Sequence, residues 1–280
     1  MAKGSVSSRY VPAEPRVRRG YFESRYGQLH VHNAIPPGGG FEEGTPLLCL
    51  HPIPGSGRVF ERLLALAGRD RSVYAPDTPG FGDSDAPQAR AAISDYAAAL
   101  VDFLDTMRFR QIDVLGHQAG ALLATELAIT RPNQVRRVVL ASVPILNDSE
   151  REVFRRAADR PASVADGTHL LAEWRRAVEA YGTQASLDTL NAALADSLRA
   201  RAQTAGMAAA IAQYPVRERL PLVTHPVLVL RPKDSLWEAT GRVRELLPKA
   251  RIQELPEAGQ DLLGAQAVAV AEAVKDFIRG

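Results

Sequence analysis

The stretch LGHQAG, residues 115–120, decides the fold. It continues the strand pattern IDVLG (112–116), and a helical pattern starts near Gln118. Gly116 and Gly120 frame a turn of the form Gly-x-x-x-Gly, which predicts a sharp passage from strand to helix. The central residue of this turn is Gln118, whose primary amide is a very poor nucleophile.

Strand and helix patterns alternate on both sides of this turn. Strands are predicted at PLLCL (46–50), SVYAP (72–76), VRRVVLAS (135–142), HPVLVLR (225–231) and ARIQELP (250–256), and helices at 58–68, 93–109 and 267–280. Residues 21–34 read as two strands around a tight turn at Tyr26-Gly27. This alternation is typical of an α/β fold with a mainly parallel sheet and helices on both faces.

More than eighty residues between two of these strands carry no strand pattern. They contain three amphipathic helical patterns, EREVFRRAAD, THLLAEWRRAVEAYG and SLDTLNAALADSLRARAQTAG. Such a length is too great for a simple crossover. We therefore expect a helical cap at 146–215, a core domain formed by 20–145 and 216–280, and a basic flexible arm at 1–19.

Composition limits the partners and the compartment. The formal net charge of +2 is too small to indicate nucleic acid or an anionic membrane as a partner. Cys49 is the only cysteine and lies in an apolar run, so we expect it to be buried. No apolar run is long enough to span a membrane and no secretory signal is visible, which predicts a cytoplasmic protein. No cofactor motif is present.

Five motifs, in order, give the chain a resemblance to the α/β-hydrolase superfamily over about residues 20–280. They are HPIPGSG (51–57), APDTPGFGDSD (75–85), GHQAG (116–120), RPKDSLW (231–237) and EAGQDLL (257–263). The resemblance implies an α/β-hydrolase fold with an oxyanion loop after the third strand, a nucleophile turn and a late acid and base. It does not fix the reaction, because one fold hosts many chemistries.

The catalytic positions implied by the resemblance have lost two of their three usual residues. The nucleophile position is Gln118, the base position is Gln260, and the acid position retains Asp234. A serine hydrolase needs a nucleophile, a base and an orienting acid. Loss of the nucleophile or the base alone costs about 10⁶ in rate in the subtilisin series. A conventional esterase therefore explains this sequence poorly.

The electrostatic part of such a site is expected to survive. By resemblance, the oxyanion donors are the backbone N–H groups of Ile53 and Ala119. The start of the helix near Gln118 adds positive potential. The site is therefore expected to bind a carbonyl, carboxylate or enolate oxygen, to which the Gln118 amide also donates or for which it positions a water.

Several side chains are candidates for roles around this site. His51 is either a structural histidine under the oxyanion loop or a general base, and Asp234 either bonds Gln260 or is an exposed acid. Arg58 either pairs with a substrate carboxylate or is solvated. Trp174 and Tyr181 of the cap either pack against the body or line an apolar pocket. His30 and His32 share a strand face, but without nearby acids they do not predict a metal site.

Three functions remain open. The first is a non-hydrolytic enzyme of lyase, cyclase, isomerase or decarboxylase type, acting on a small, largely apolar carbonyl compound. The second is a catalytically silent ligand binder. The third is a hydrolase of esters or lactones whose water is activated by His51 or Asp234. Each implies a small-molecule partner, and a homodimer is compatible with the family, although no interface stripe selects it.

Overall fold

An eight-stranded sheet forms the centre of the protein. The computed structural model describes residues 15–37, 43–160, 162–182, 185–259 and 261–279. The strands are β1 (Arg18–Ser24), β2 (Gly27–Ala34), β3 (Gly44–Leu50), β4 (Arg71–Pro76), β5 (Ile112–His117), β6 (Val135–Ala141), β7 (Val227–Pro232) and β8 (Arg251–Leu255). Their order across the sheet is β1-β2-β4-β3-β5-β6-β7-β8. β2 pairs antiparallel with β1 and β4, and the other pairs are parallel, which confirms the predicted mainly parallel sheet.

Helices cover both faces of this sheet. They are α1 (Glu61–Ala67), α2 (Ile93–Thr106), α3 (Ala119–Thr130), α4 (Asp148–Ala157), α5 (Thr168–Tyr181), α6 (Leu187–Arg199), α7 (Arg201–Gln213), α8 (Val216–Arg219), α9 (Trp237–Gly241), α10 (Val243–Leu246) and α11 (Ala267–Arg279). Short 3₁₀ helices span Gly57–Phe60 and Leu220–Leu222. The short helices α9 and α10 had no separate signal in the sequence.

Alternate side chains of the central strands supply two cores. Leu48 and Leu50 of β3 pack with α2 and α3, while Leu47 and Cys49 pack with α1 and α11 on the opposite face. This alternation follows from the two-residue period of a strand. Each fully buried aliphatic side chain contributes about 1.5–3 kcal/mol. Cys49 is fully buried, as predicted, and burial raises the pKa of its thiol.

The N-terminal part differs from the expectation in two places. Arg18 and Arg19 already pair with Asn33 and His32 in the sheet, so the predicted arm at 1–19 overlaps β1. Residues 1–14 of that arm lie outside the described residues. The turn between β1 and β2 is one residue earlier than predicted, because Gly27 (φ 109°) is already the first residue of β2.

Five α-helices, α4 to α8, and the second 3₁₀ helix occupy the described part of the interval between β6 and β7. The predicted third helix over 186–206 is in fact two helices, since α6 ends at Arg199 and α7 begins at Arg201. We call residues 148–213 the helical insert. Side chains of α6 contact the loops after β3 and β4, which places part of the insert at the carboxyl edge of the parallel strands. That edge is where open α/β sheets bind ligands.

The lengths of the helices also bear on membrane crossing. Within the described ranges, no helix combines the length and the apolar character that crossing a bilayer requires.

Candidate functional site

The turn at Gln118 has the geometry that its sequence predicts. β5 is buried along its whole length, and Gln118 follows it with φ 52° and ψ −112° immediately before α3. The Gln118 N–H donates to the carbonyl of Ala141 at 2.9 Å, which ties the turn to β6. A non-glycine residue at such a backbone angle costs about 1–3 kcal/mol and is found mostly at functional sites.

Two glycines make the turn sterically feasible. A Cβ atom on Gly116 would lie 2.2 Å from the carbonyl oxygen of Gly120. A Cβ atom on Gly120 would lie 2.0 Å from the carbonyl oxygen of Leu50 and 3.0 Å from that of His51. Both glycines are therefore required by close backbone approach. The same contacts bring the start of α3 against the end of β3, where the loop containing Ile53 begins.

Two backbone donors at this junction have no acceptor among the residues that the structure describes. In the part of the chain that the structure describes, neither the Ile53 N–H nor the Ala119 N–H donates to another protein group. Ile53 and Gln118 are half-buried, and Ala119 is the first residue of α3. Free N–H groups at a helix start favour an anionic or carbonyl oxygen. Gln118 itself makes an interaction within the protein.

His51 is a structural histidine, which contradicts its candidacy as a general base. It is fully buried, its Nδ1 lies 2.8 Å from the Pro52 carbonyl, and its Nε2 accepts from the Thr78 N–H at 2.8 Å. Both ring nitrogens are therefore engaged within the protein. Burial lowers the pKa of the ring despite the neighbouring Asp77. Neither nitrogen is left to take a proton from a ligand.

Asp77 forms a buried network with the two histidines of β2. Its Oδ2 lies 2.8 Å from His30 Nδ1, and its Oδ1 lies 3.9 Å from His32 Nε2. It also accepts from the backbone N–H groups of Gly57 at 2.6 Å and Asp83 at 2.9 Å. Burial raises the pKa of this carboxyl, but these partners, led by His30, bring it below its usual value.

This network corrects the expectation that no acid lies near His30 and His32. The candidate ligand atoms of these residues and Asp77 all lie within 4.8 Å of one another. However, burial lowers the pKa of His32 to about 4. His30 and the positive charges of Arg58 and Arg19 add to this lowering. Nearby arginines oppose a bound cation. With Asp77 already accepting two backbone N–H groups, the cluster is best suited to holding the loops together.

Arg58 lies half-buried in the 3₁₀ helix that follows the Ile53 loop. Its Nε atom is buried and has no hydrogen-bond partner within the described residues. Its charge helps to lower the pKa of His32 and acts in the same direction on Asp196. Arg58 therefore lies among buried groups and is not the fully solvated arginine of one alternative. Its pairing with a ligand carboxylate stays a prediction.

Asp234 has a partner that the sequence did not indicate. Its Oδ2 accepts from the Ser142 hydroxyl at 2.5 Å, and its Oδ1 accepts from the Leu236 N–H at 2.9 Å. Ser142 is fully buried, directly follows β6 and has φ 52°. Burial raises the pKa of the half-buried Asp234 carboxyl against the lowering effect of these donors. Gln260, the partner expected for Asp234, lies outside the described residues.

The helical insert adds a carboxylate to this region. Asp196 of α6 is buried, and its Oδ2 accepts from the Ser56 hydroxyl at 3.0 Å. Tyr181 of α5 is half-buried. Burial, with smaller effects from Asp261 and Asp196, raises the pKa of its phenol to about 12. Trp174 is half-buried on the same helix and, among the described residues, makes no hydrogen bond or ring contact.

His117 precedes the turn and shows a different environment. It is buried, and both of its ring nitrogens lack a hydrogen-bond partner within the described ranges. Burial lowers the pKa of the ring to about 4. His117 is therefore neutral at physiological pH.

Sequence reasoning missed Ser142 and Asp196. Ser142 follows directly the last residue of a parallel strand, where ligand-binding and catalytic groups collect, so its position was a usable signal. Asp196 lies within a uniform amphipathic helical pattern. Nothing in the sequence distinguishes it from the exposed acids of the insert.

The comparisons with known proteins agree with this architecture. The model of the Alpha/beta hydrolase family matches residues 47–273. Among solved structures, the enol-lactonase from Burkholderia xenovorans LB400 superposes with a TM-score of 0.76 at 18% identity, covering 93% of this chain and 100% of that one. A putative aryl esterase from Burkholderia cenocepacia gives a TM-score of 0.77 at 18% identity, covering 94% and 98%. At this identity the superpositions show the fold alone.

Curated relatives carry varied activities. The putative 2-succinyl-6-hydroxy-2,4-cyclohexadiene-1-carboxylate synthase of Bacillus subtilis is 24% identical over 83% of this chain and 89% of its own length. Epoxide hydrolase 2 of Siraitia grosvenorii is 33% identical over 37% of this chain and 34% of its own length. The chain spans about a third of the length of the first curated relatives it matches. Because the family model covers most of the sequence, the chain belongs to the alpha/beta hydrolase family.

Proposed function

We propose that this chain is a non-hydrolytic enzyme that binds a small, largely apolar carbonyl compound and stabilises negative charge on its oxygen. The observation that carries this proposal is the turn at Gln118. It combines a non-nucleophilic side chain with the unused N–H groups of Ile53 and Ala119. Such donors stabilise an enolate as readily as the oxyanion of ester cleavage. The reaction class is then elimination, isomerisation, cyclisation or decarboxylation.

The loss of the nucleophile is central to this proposal. An amide at position 118 excludes a covalent acyl intermediate on that residue, and Gln260 removes the base that the family uses. The hydrogen-bond donors that polarise a carbonyl are backbone groups and do not depend on either side chain. One relative is named as a synthase and not as a hydrolase, which supports non-hydrolytic chemistry on this frame.

A second candidate is a ligand binder without turnover. This candidate is favoured by the hydrogen bonds of His51 and Asp234, the two residues that the sequence predicts as proton-transfer groups. Both ring nitrogens of His51 and both carboxylate oxygens of Asp234 already have protein partners. A binder needs only the pocket and its donors. A bound ligand at a hundred times its dissociation constant would then stabilise the fold by about 2.7 kcal/mol.

The first test reconstructs the missing chemistry. We expect wild type and Gln118→Ser to leave p-nitrophenyl acetate, p-nitrophenyl butyrate and dihydrocoumarin at the background rate. The double variant Gln118→Ser/Gln260→His restores the nucleophile and the base that the family uses, and it should exceed wild type by about 100-fold or more. The matched control is Gln118→Ala/Gln260→Ala, which alters the same positions without supplying either group.

Hydrolysis by wild type would favour the third function, a hydrolase of esters or lactones. Turnover by wild type well above background, lost in Asp234→Ala, would establish an unconventional hydrolase and overturn the proposal. Failure of the double variant to gain activity while it remains folded by circular dichroism would show that the donors at Ile53 and Ala119 do not form a working site.

A further inference from the structure

Asp196 is the carboxylate that the insert places beside the Ile53 loop. It lies on α6, 5% exposed, and accepts from the hydroxyl of Ser56, three residues after Ile53 in the same loop. Burial raises the pKa of Tyr181 of α5, and the negative charges of Asp261, which follows position 260, and of Asp196 add to this rise. Asp196 is therefore held against the loop that carries Ile53.

The two oxygens of Asp196 differ in their hydrogen bonds to the described residues. Ser56 binds Oδ2, while Oδ1 accepts no hydrogen bond from the described residues and is not sealed from solvent. In this respect Asp196 differs from Asp234, whose two oxygens are both engaged, and from Asp77, which accepts from three donors. A proton-transfer group needs an atom that can reach the ligand.

We propose that Asp196 is the group that moves the substrate proton, with Oδ1 as the acting atom; this rests on the proposed function. Oδ1 takes the proton from the carbon next to the carbonyl. The C–H electron pair becomes the C=C bond of an enolate, and the carbonyl π pair moves to the oxygen. That oxygen then accepts from the N–H groups of Ile53 and Ala119. Exchange of this proton with solvent and return from Oδ1 to the same carbon complete an exchange. Return to the far end of a conjugated dienolate, which an unsaturated carbonyl compound forms, completes an isomerisation.

The surroundings suit this role. Burial raises the pKa of the Asp196 carboxyl, and Asp77 acts in the same direction. The Ser56 hydroxyl and the charge of Arg58 oppose the rise. A carboxylate with a raised pKa is the stronger base at neutral pH.

The test measures proton transfer without knowledge of the natural substrate. Cyclohexanone, acetophenone and 4-phenylbutan-2-one serve as probes. Binding is followed by saturation-transfer NMR, and incorporation of deuterium from D₂O at the carbon next to the carbonyl is followed by proton NMR. We expect wild type to bind and exchange at least one probe. Asp196→Asn should bind it with similar affinity but exchange it at least about 100-fold more slowly.

Controls separate this proposal from the proposed function. Asp188→Asn changes an exposed acid of the same helix and should exchange like wild type. Equal exchange by Asp196→Asn and wild type would overturn the role of Asp196 and leave the proposed function intact. Binding without exchange by wild type would overturn that role and favour the silent binder. Binding of no probe would overturn the carbonyl specificity itself, and this inference with it.

A second variant keeps the test decisive if Asp196→Asn fails to fold. Ser56→Ala removes the hydroxyl that helps to lower the Asp196 pKa. The pH midpoint of probe exchange should therefore move to higher pH. A loss of exchange at every pH with an unchanged midpoint would indicate a merely structural contact, and it would overturn the assignment of Asp196 as the titrating group.

Discussion

The loops after β3 and β4 are joined to each other by buried hydrogen bonds, whereas α6 of the insert meets them through single side chains. Thr78 donates to His51, and Gly57 donates to Asp77. From the other side, Asp196 accepts from Ser56, and Arg199 pairs with Asp83 at 2.6 Å. The loops therefore form a fixed base, and α6 of the insert adds these two side-chain contacts to it.

This difference affects where in the molecule a new catalytic group can be introduced. A polar atom that already has two or three buried partners is expensive to reuse, because breaking one bond leaves an unsatisfied group. The insert carries fewer such constraints, since its side chains reach the site from helices held by their own packing. A new proton-transfer group is therefore easier to install on the insert than in the loops.

The largest effect is expected from a substitution at Gly120, where the start of α3 meets the end of β3. In Gly120→Ala the new Cβ would lie 2.0 Å from the Leu50 carbonyl oxygen, so backbone must move at the centre of the site. We expect a loss of about 3 to 5 kcal/mol in the free energy of unfolding, measured by urea denaturation.

The insert offers a matched control for this substitution. Gly206 lies within α7, and a Cβ atom added there would meet no atom within 4 Å. Gly206→Ala should raise stability by about 0.5–1 kcal/mol, the usual gain within a helix. If the two variants shift stability by similar amounts, the close approach of α3 to β3 is not a constraint on the fold.

The fixed base and the turn at Gln118 were also the parts that could be predicted from the sequence. Gly116, Gly120 and the APDTPGFGDSD motif are local patterns, and each imposes a backbone geometry that the structure contains. The parallel strands follow from their short apolar runs. What local patterns missed were the break at Ala200 and the start of β1 at Arg18, because both depend on packing and pairing with distant segments.

The side chains of the candidate site were less predictable. Asp77 lies 2.8 Å from His30, yet the two residues are 47 positions apart, so a search for nearby acids in the sequence could not join them. The Ser142–Asp234 bond spans 92 positions and Ser56–Asp196 spans 140. Such pairs are set by the strand order and by the course of the insert, neither of which a local pattern encodes.

A second prediction concerns the pH dependence of stability, which the buried ring of His117 controls in part. Burial lowers the pKa of folded His117 to about 4, against about 6.5 in an unfolded chain. Between these values the unfolded chain holds a proton that the folded chain lacks. Stability that is fully present above pH 6.5 is therefore lost as the pH falls toward 4, by about 3 kcal/mol in total. His117→Leu should remove this loss, measured by urea denaturation from pH 8 to pH 4.

Wild type and His117→Leu differ in one titrating histidine only. His32 also has its pKa lowered to about 4 by burial, but it is unchanged in the variant, so its contribution cancels in the difference. At pH 8 His117 is neutral in both states, and this value gives the effect of the substitution on packing alone. Parallel curves of stability against pH for wild type and His117→Leu would contradict this prediction. They would show that His117 gains its proton in the folded chain at the same pH as in the unfolded chain.

The smallest effect is expected where the insert meets the base. Arg199 and Asp83 are 50% and 34% exposed, so the pair contributes about 0.2–1 kcal/mol, less at high salt. Arg199→Gln should therefore hardly change global stability, yet it should speed amide hydrogen exchange in α6, because one of the contacts that hold this helix is lost. Arg155→Gln is the control, since Arg155 pairs with Glu152 inside α4. Unchanged exchange in α6 would mean that this ion pair does not help to hold the helix, and that packing and the Ser56–Asp196 hydrogen bond suffice.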